Sequence, residues 1–504
     1  MYGSPGDGML QRVRQPARLA LVRLRPDGIE LWPTLLLLAI YALVYLQFAV
    51  QLAGFPFDVD QGEGYDAWSG WLVNLGQLPY TSNADFPYYS SNYPPLWSYI
   101  VSIPMAWLGP GLGPARAVST ISAVAAAGVL ALAAQRLSGR RLSGALAAGF
   151  FLASPYVFHT TPLARVNSLA LLAAVSGLTL LEQPTRRRVV FGSLALAAAL
   201  FTKPTTIDAA VAGVLAVLLR QPRLGLLAGA MLAAAGLGGL LALLALTHGA
   251  FWVNVVAGNA NPFDAAQLGA YLTNFSTVHC VLLAMAVAEC AWMLRHRRWS
   301  PWSLYAIGSA VAALGVGKWG AGESYFLGAI AAMSVLAATW VGRFLDSTPA
   351  ARLRSGLAMA LLIQAVLLSH AALSTALPWL PDRGPQSMFL GRAPSFEDQQ
   401  VAQLISSEIR AAHGPVLSED PSFAVVAGQP LIGNATHLRN LYQAGLWDPS
   451  PMVNDVRAHR YAIVILDAEL YPEPVLAAIG QSYFLDRSVQ VNGATYRIFL
   501  PGTQ

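Results

Sequence analysis

The sequence predicts an all-α polytopic membrane protein of about 11 spans, or 12 or 13 if one short apolar run also crosses, ending in a C-terminal soluble α/β domain. Three observations carry this. Hydrophobic residues make up 55% of the 504, charged residues only 11%, and the mean hydropathy is +0.49, so most of the chain suits lipid rather than water. Short arginine clusters alternate with the apolar runs, where orientation signals of membrane proteins belong. Beyond Pro378 acidic residues and strand patterns take over.

The net charge of +5 sits mostly in those clusters, so it is no nucleic-acid signal and membrane lipids are the expected surroundings. The two cysteines, Cys280 and Cys290, share one apolar stretch, fit no disulfide framework or metal-ligand spacing, and read as packing residues.

In chain order, residues 1–30 form a basic N-terminus with Arg12, Arg14, Arg18, Arg23 and Arg25. The apolar run near 31–53 is too long for the core of a cleaved signal and reads as an anchor. Ten further runs follow, at about 115–135, 142–158, 167–181, 189–202, 205–220, 224–247, 268–294, 301–317, 325–341 and 355–377, judged against the ~20 residues a span needs. The run at about 95–108 is the undecided one. Clusters at Arg136/Arg140/Arg141, Arg186/Arg187/Arg188, Arg220/Arg223, Arg295/Arg297/Arg298 and Arg343/Arg352/Arg354 mark the cytoplasmic side by the positive-inside rule. The membrane domain, 31–377, then presents the loops 54–95, 248–267 and 318–324, and the C-terminal domain 378–504, to the outer side of the plasma (inner) membrane. In that domain, an amphipathic helix is expected over 396–413, buried strands over 415–418 and 461–466, and a hairpin over 488–500 turning at Asn492-Gly493. It holds no glycine-rich phosphate loop and no nucleophile elbow.

Candidate chemistry comes from charge placement. No Lys or Arg lies between Arg25 and Arg116, while Asp58, Asp60, Glu63 and Asp66 crowd into the first outer loop among glycines and aromatics. Carboxylates beside a low-dielectric slab repel one another and lose hydration, which makes this a poor loop for mere connection and a good one for catalysis. The chain has only two lysines among its 31 basic residues, Lys203 and Lys318, and the topology puts both on the outer side, with Arg165. Together the three would receive an anion at headgroup level, such as a lipid phosphate, although each could instead snorkel to lipid. Acids and cations together fit transfer to an acceptor hydroxyl with a phosphate leaving group. One carboxylate takes the hydroxyl proton, and the cations hold the charge growing on the departing phosphate. Glu63 is the favoured base because glycines flank it, with Asp60 next; Asp58 and Asp66 read as solvated or loop-capping. Asp85 either lines an acceptor site or serves its turn. Glu323 either pairs with Lys318 or helps seat a donor. His159 and His279 read as helix-packing residues.

The order of these motifs resembles the GT-C superfamily of membrane glycosyltransferases. It runs through the acidic loop, Gly76-Gln-Leu-Pro-Tyr80, Asn92-Tyr-Pro-Pro-Leu96, Arg165-Val-Asn167, Thr202-Lys203-Pro204 and Lys318-Trp-Gly-Ala-Gly-Glu-Ser-Tyr-Phe326. The likeness covers roughly residues 30–345 and is nearest to the bacterial branch related to protein mannosyltransferases and the lipid A aminoarabinose transferase. It implies a polyprenyl-phosphate sugar donor, a base in the first outer loop, inversion at the anomeric carbon, and a glycan, lipid or protein acceptor. Tyr93, Asn167 and Tyr325, with Asp85 and Glu323, become candidate donor or acceptor contacts. Two departures stand out. The superfamily's adjacent Asp-Glu pair is spread here as Asp60-Gln-Gly-Glu63, and its frequent Arg-x-Asp is Arg165-Val-Asn167. Some members hold a divalent metal with such acids; the carboxylate spacing here fixes none, and no cofactor is assigned. The alternative from another class is a transporter or flippase of a lipid-linked substrate, against which stands the absence of repeated halves.

Overall fold

The computed structural model describes residues 29–259, 261–347, 350–376 and 394–502, with side chains omitted over 369–376. The basic segment through residue 28 and the start of the expected outward domain, 377–393, lie outside the described residues.

Helices dominate. The first, Trp32–Gly54, buries Thr34, Leu38, Tyr41, Tyr45, Phe48 and Leu52 along one seam, while Leu36, Leu43 and Val50 stay exposed. A helix apolar on all sides with one packed face is what a lipid-facing span requires. Among the described residues, five helices are long and apolar enough to cross a bilayer: Ile29–Gly54, Leu112–Ser138, Pro222–Leu246, Glu323–Ser347 and Ala351–Leu368. The expected run at 268–294 is two helices, Ala265–Val278 and Cys280–Arg295, bent by 88° at His279, and would make a sixth span if the pair counts as one. His279 explains the break. Its Nδ1 lies 3.0 Å from the Phe275 carbonyl and its Nε2 2.9 Å from Ser154 Oγ, so the ring packs inward where the helix turns. Several other expected spans are shorter apolar helices, including Arg141–Ala153, Asn167–Leu181 and Pro301–Gly317.

The acidic loop after the first helix is itself folded. Residues Glu63–Asn74 form a helix that sequence periodicity did not reveal, and it packs on the undecided run, now the helix Leu96–Leu108. Ser69 and Ser98 hydroxyls meet at 2.8 Å, Trp97 Nε1 donates to the Asp66 carbonyl at 3.2 Å, and a Cβ on Gly70 would stand 2.3 Å from Val101. At 13 residues the second helix rises only about 20 Å, short of a ~30 Å hydrocarbon core.

The C-terminal segment begins with the helix Phe396–Ala411, started by a capping box between Ser395 and Asp398, and continues into a four-stranded sheet. Strand β1 (Val416–Ser418) pairs in parallel with β2 (Ile463–Leu466), which pairs antiparallel with β4 (Ala494–Pro501), and β4 pairs antiparallel with β3 (Tyr483–Val491). Asn492 and Gly493 both have positive φ, 48° and 84°, as a two-residue hairpin turn requires. This layer sits on the acidic loop. Phe57 packs at a tilt against Phe423, ring centroids 5.5 Å apart, Phe55 and Phe57 join a core with Ile405 and Ile465, and the Asp58 amide donates to Ser422 Oγ at 2.9 Å.

Candidate active site

Between the helix ends and the C-terminal sheet lies a cavity of about 830 Å³. Of the sequence-derived candidates, Asp60, Tyr93, Arg165, Asn167, Lys203, Lys318 and Tyr325 line it. Glu63, Asp85 and Glu323 do not.

Glu63 and Asp60 have parted. The Glu63 carboxylate accepts two bonds from Arg116, Nε at 2.8 Å and Nη2 at 2.7 Å, and backbone amides of Val59, Asp60 and Ala164 at 3.0, 3.4 and 2.7 Å. Both side chains of the pair are 0% exposed. Arg116 spends its remaining donors on the carbonyls of Leu52, Phe55 and Phe57. Burial pushes the Glu63 carboxyl up, but Arg116 and the amides outweigh it, and the group is held below its usual range. A carboxylate so saturated has no lone pair directed at the cavity, so the structure places Glu63, the base favoured from sequence, as a buried partner of Arg116 away from the cavity wall. The glycines that suggested it have another purpose. Gly62 sits at φ 128°, and a Cβ there would stand 2.1 Å from Arg165 Nη1; one on Gly64 would stand 2.7 Å from Pro421. Close approach, not mobility, demands them.

Asp60 faces the cavity with its side chain 39% exposed and pairs with Arg165 Nη1 at 3.1 Å. Arg165 Nε pairs in turn with Asp66 at 3.0 Å. Loss of hydration raises the Asp60 carboxyl, opposed by Arg165. The same contest leaves the more enclosed Asp66 at about 7. Asp66 is therefore a buried ion-pair partner, not the solvated or loop-capping residue expected. Asp58 caps as expected, accepting from the Gly64 amide at 3.0 Å, but it too is buried.

Lys203 Nζ donates to Asn167 Oδ1 at 2.7 Å and lies 5.1 Å from the Tyr325 ring centroid. Loss of hydration, reinforced by repulsion from Arg165, lowers it to about 8. Tyr93 lies beside Arg165 on the cavity wall. Lys318 is exposed on the far wall, in a strip fixed by an isolated bridge between Phe263 and Lys318. Asp85 is exposed and its carbonyl accepts from the Tyr88 amide at 2.8 Å, which is the turn role. Glu323 neither pairs with Lys318 nor reaches the cavity; it is buried against His159 Nδ1 at 3.2 Å.

The sheet side of the cavity was not foreseen. Asp420, Thr436, Asp467 and Tyr496 all line it. Thr436 Oγ1 bonds Gln61 Oε1 at 3.0 Å, Tyr496 donates to Asp420 Oδ2 at 2.9 Å, and burial pushes the Asp420 carboxyl to about 7. The first of these pairings spans 375 positions in sequence and leaves no local signal. Arg116 was also missed; its only trace is that it ends the long stretch without Lys or Arg. Among the described residues, no group of three or more His, Cys, Asp or Glu is placed to hold a metal ion.

A polytopic helical membrane protein with an ionic cavity under a small sheet is the class this geometry defines. No protein-family profile and no curated protein matches the chain by sequence. Solved structures do match by fold. ArnT from Cupriavidus metallidurans, bound to undecaprenyl phosphate, aligns with a TM-score of 0.60 at 13% identity, covering 93% of this chain and 99% of that one. The Archaeoglobus fulgidus oligosaccharyltransferase aligns with a TM-score of 0.55 at 12% identity, covering 90% of this chain and 73% of that one. Archaeal AglB from the same organism, in complex with an inhibitory peptide and a dolichol-phosphate, aligns at 0.51 and 12% identity, covering 92% and 74%. The chain therefore shares the fold of these solved structures.

Proposed function

We propose that this chain is a glycosyltransferase of the plasma membrane that moves a sugar from a polyprenyl-phosphate donor to an acceptor hydroxyl on the outer side, with inversion. One observation carries it: a single cavity presents a half-exposed carboxylate, Asp60, beside two cations not bound to carboxylates, Lys203 and Lys318. The undecaprenyl phosphate held by ArnT and the dolichol-phosphate held by AglB support a lipid phosphate as the donor's anchor.

Asp60 accepts the acceptor hydroxyl proton as that oxygen attacks the anomeric carbon. The bond from that carbon to the phosphate oxygen breaks with its electron pair moving to the phosphate, whose charge Lys203 and Lys318 offset. Phosphate leaves without protonation, so no second carboxylate of the glycosidase type is needed. Arg165 is reassigned from phosphate ligand to positioning residue, because its charge is already matched by Asp60 and Asp66. It aims the base and keeps it ionised. Asn167 and Tyr325 hold Lys203, and Tyr93 steadies Arg165. Domain 31–377 crosses the membrane about 11 times in this scheme, the shorter apolar helices included, and the sheet domain closes the outer face.

The test uses purified protein with polyprenyl-phosphate sugars and a panel of hydroxyl acceptors. Release of polyprenyl phosphate that depends on acceptor, and yields the inverted linkage, is the expected result. Movement of the lipid-linked sugar across a vesicle membrane with no bond cleavage would replace this function with that of a flippase.

A further inference from the structure

A second cavity, of about 480 Å³, opens at the opposite end of the helix bundle. It lies among the C-terminal ends of Leu112–Ser138, Asn167–Leu181, Ile207–Arg220, Cys280–Arg295 and Leu327–Ser347. The candidate active site, by contrast, gathers where several of these helices begin.

Four arginines and three carboxylates line this second cavity, and the carboxylates are all engaged. Glu182 pairs with Arg220 at 3.6 Å, Asp346 with Arg140, and the buried Glu289 with Arg343. Arg220 is further committed to the carbonyls of Leu181 and Glu182, at 2.8 and 2.7 Å. Arg297 and Arg298 remain, exposed and with no carboxylate ion pair among the described residues. Arg298 and Arg343 place their guanidinium carbons 4.7 and 3.6 Å from the same Trp292 ring, and Nη1 of Arg343 is buried without a hydrogen-bond partner. Arg343 already has Glu289 as its anion, so the charge left unmatched at this indole is that of Arg298, with Arg297 beside it.

We propose that this cavity binds a phosphate group, carried by an anionic lipid headgroup or free. Arg297 and Arg298 contact its oxygens, with Trp292 and Trp299 as the wall at headgroup depth. Snorkelling arginines on a bundle surface need neither a cavity nor a buried unpaired donor.

Native mass spectrometry of the full chain in neutral detergent tests it, with phosphatidylglycerol, phosphatidylcholine or inorganic phosphate added. The variant Arg297→Gln/Arg298→Gln is compared with Arg186→Gln/Arg223→Gln, exposed arginines at the same end that do not line the cavity. Arg343 is left intact because its loss would strand Glu289. Retention of phosphatidylglycerol over phosphatidylcholine, weakened roughly 10-fold or more in the first variant only, supports a lipid source. Selective retention of inorganic phosphate with the same variant pattern supports a free one. Equal weakening in both variants, no weakening in either, or equal retention of phosphatidylcholine overturns the site.

Discussion

Two carboxylates three positions apart, Asp60 and Glu63, each meet an arginine, and the two pairs have opposite characters. Glu63 and Arg116 are sealed, bidentate and saturated by backbone groups; Asp60 and Arg165 share one contact at 3.1 Å on the wall of a cavity. The first pair pins the outer loop to the helix Leu112–Ser138, since Arg116 also gathers the carbonyls that follow the first span. The second is left partly unsatisfied and open to a ligand. A buried ion pair with every donor and acceptor used is structural, whereas one with spare lone pairs facing a cavity is available for chemistry.

The contrast is sharpest in the response to neutralising each acid. Asp60→Asn should lower turnover about 100-fold to 10,000-fold, the range for loss of a general base, with the melting temperature within a few degrees of wild type. Glu63→Gln should do the reverse. Arg116 would be left buried with a neutral partner, so stability should fall by about 3 kcal/mol or more, while turnover per folded molecule stays near wild type. Thermal unfolding in detergent read beside a transfer assay separates the two. Full stability with lost turnover for Glu63→Gln would return the base to Glu63.

The sequence made the ingredients of the cavity legible but not their pairing. Asp60, Arg165, Lys203 and Lys318 stood out because charge at a membrane surface is rare and costly, and that physics needs no tertiary structure. The place of Glu63 was not legible because glycine neighbours signal either flexibility or close approach, and only the position of Arg165 against Gly62 decides between them. Asp66 was misjudged because its burial depends on the helix Glu63–Asn74 packing on Leu96–Leu108, two short helices whose contact is tertiary. The hairpin at Asn492-Gly493 was legible for the opposite reason, since its turn is encoded by two adjacent residues. The sheet's contribution to the cavity, through Asp420 and Thr436, rests on contacts across most of the chain.

Lys203 extends the comparison to the cations. Lys203→Met keeps the stem but removes the charge that offsets the leaving group, and should cost on the order of 2 to 4 kcal/mol in the transition state, or roughly 30-fold to 1000-fold in rate. Lys203→Arg should recover only part, since a planar fork does not reproduce a compact ammonium 2.7 Å from Asn167. A snorkelling lysine would tolerate Met without loss.

The smallest effect expected is also the most specific. With its ordinary value lowered to about 8, first by lost hydration and then by Arg165, Lys203 is protonated below that pH and neutral above it. The free enzyme then loses its phosphate ligand as pH rises, and kcat/KM for the donor should fall along an alkaline limb beginning near pH 8, by about 10-fold per unit. In Lys203→Arg the guanidinium stays charged throughout, so the limb should vanish although the plateau is lower. Asp60→Asn should keep the limb, because it removes a proton acceptor and leaves the lysine in place. An undiminished limb in Lys203→Arg would assign the titration to another group and detach Lys203 from the donor phosphate, leaving Lys318 to hold it.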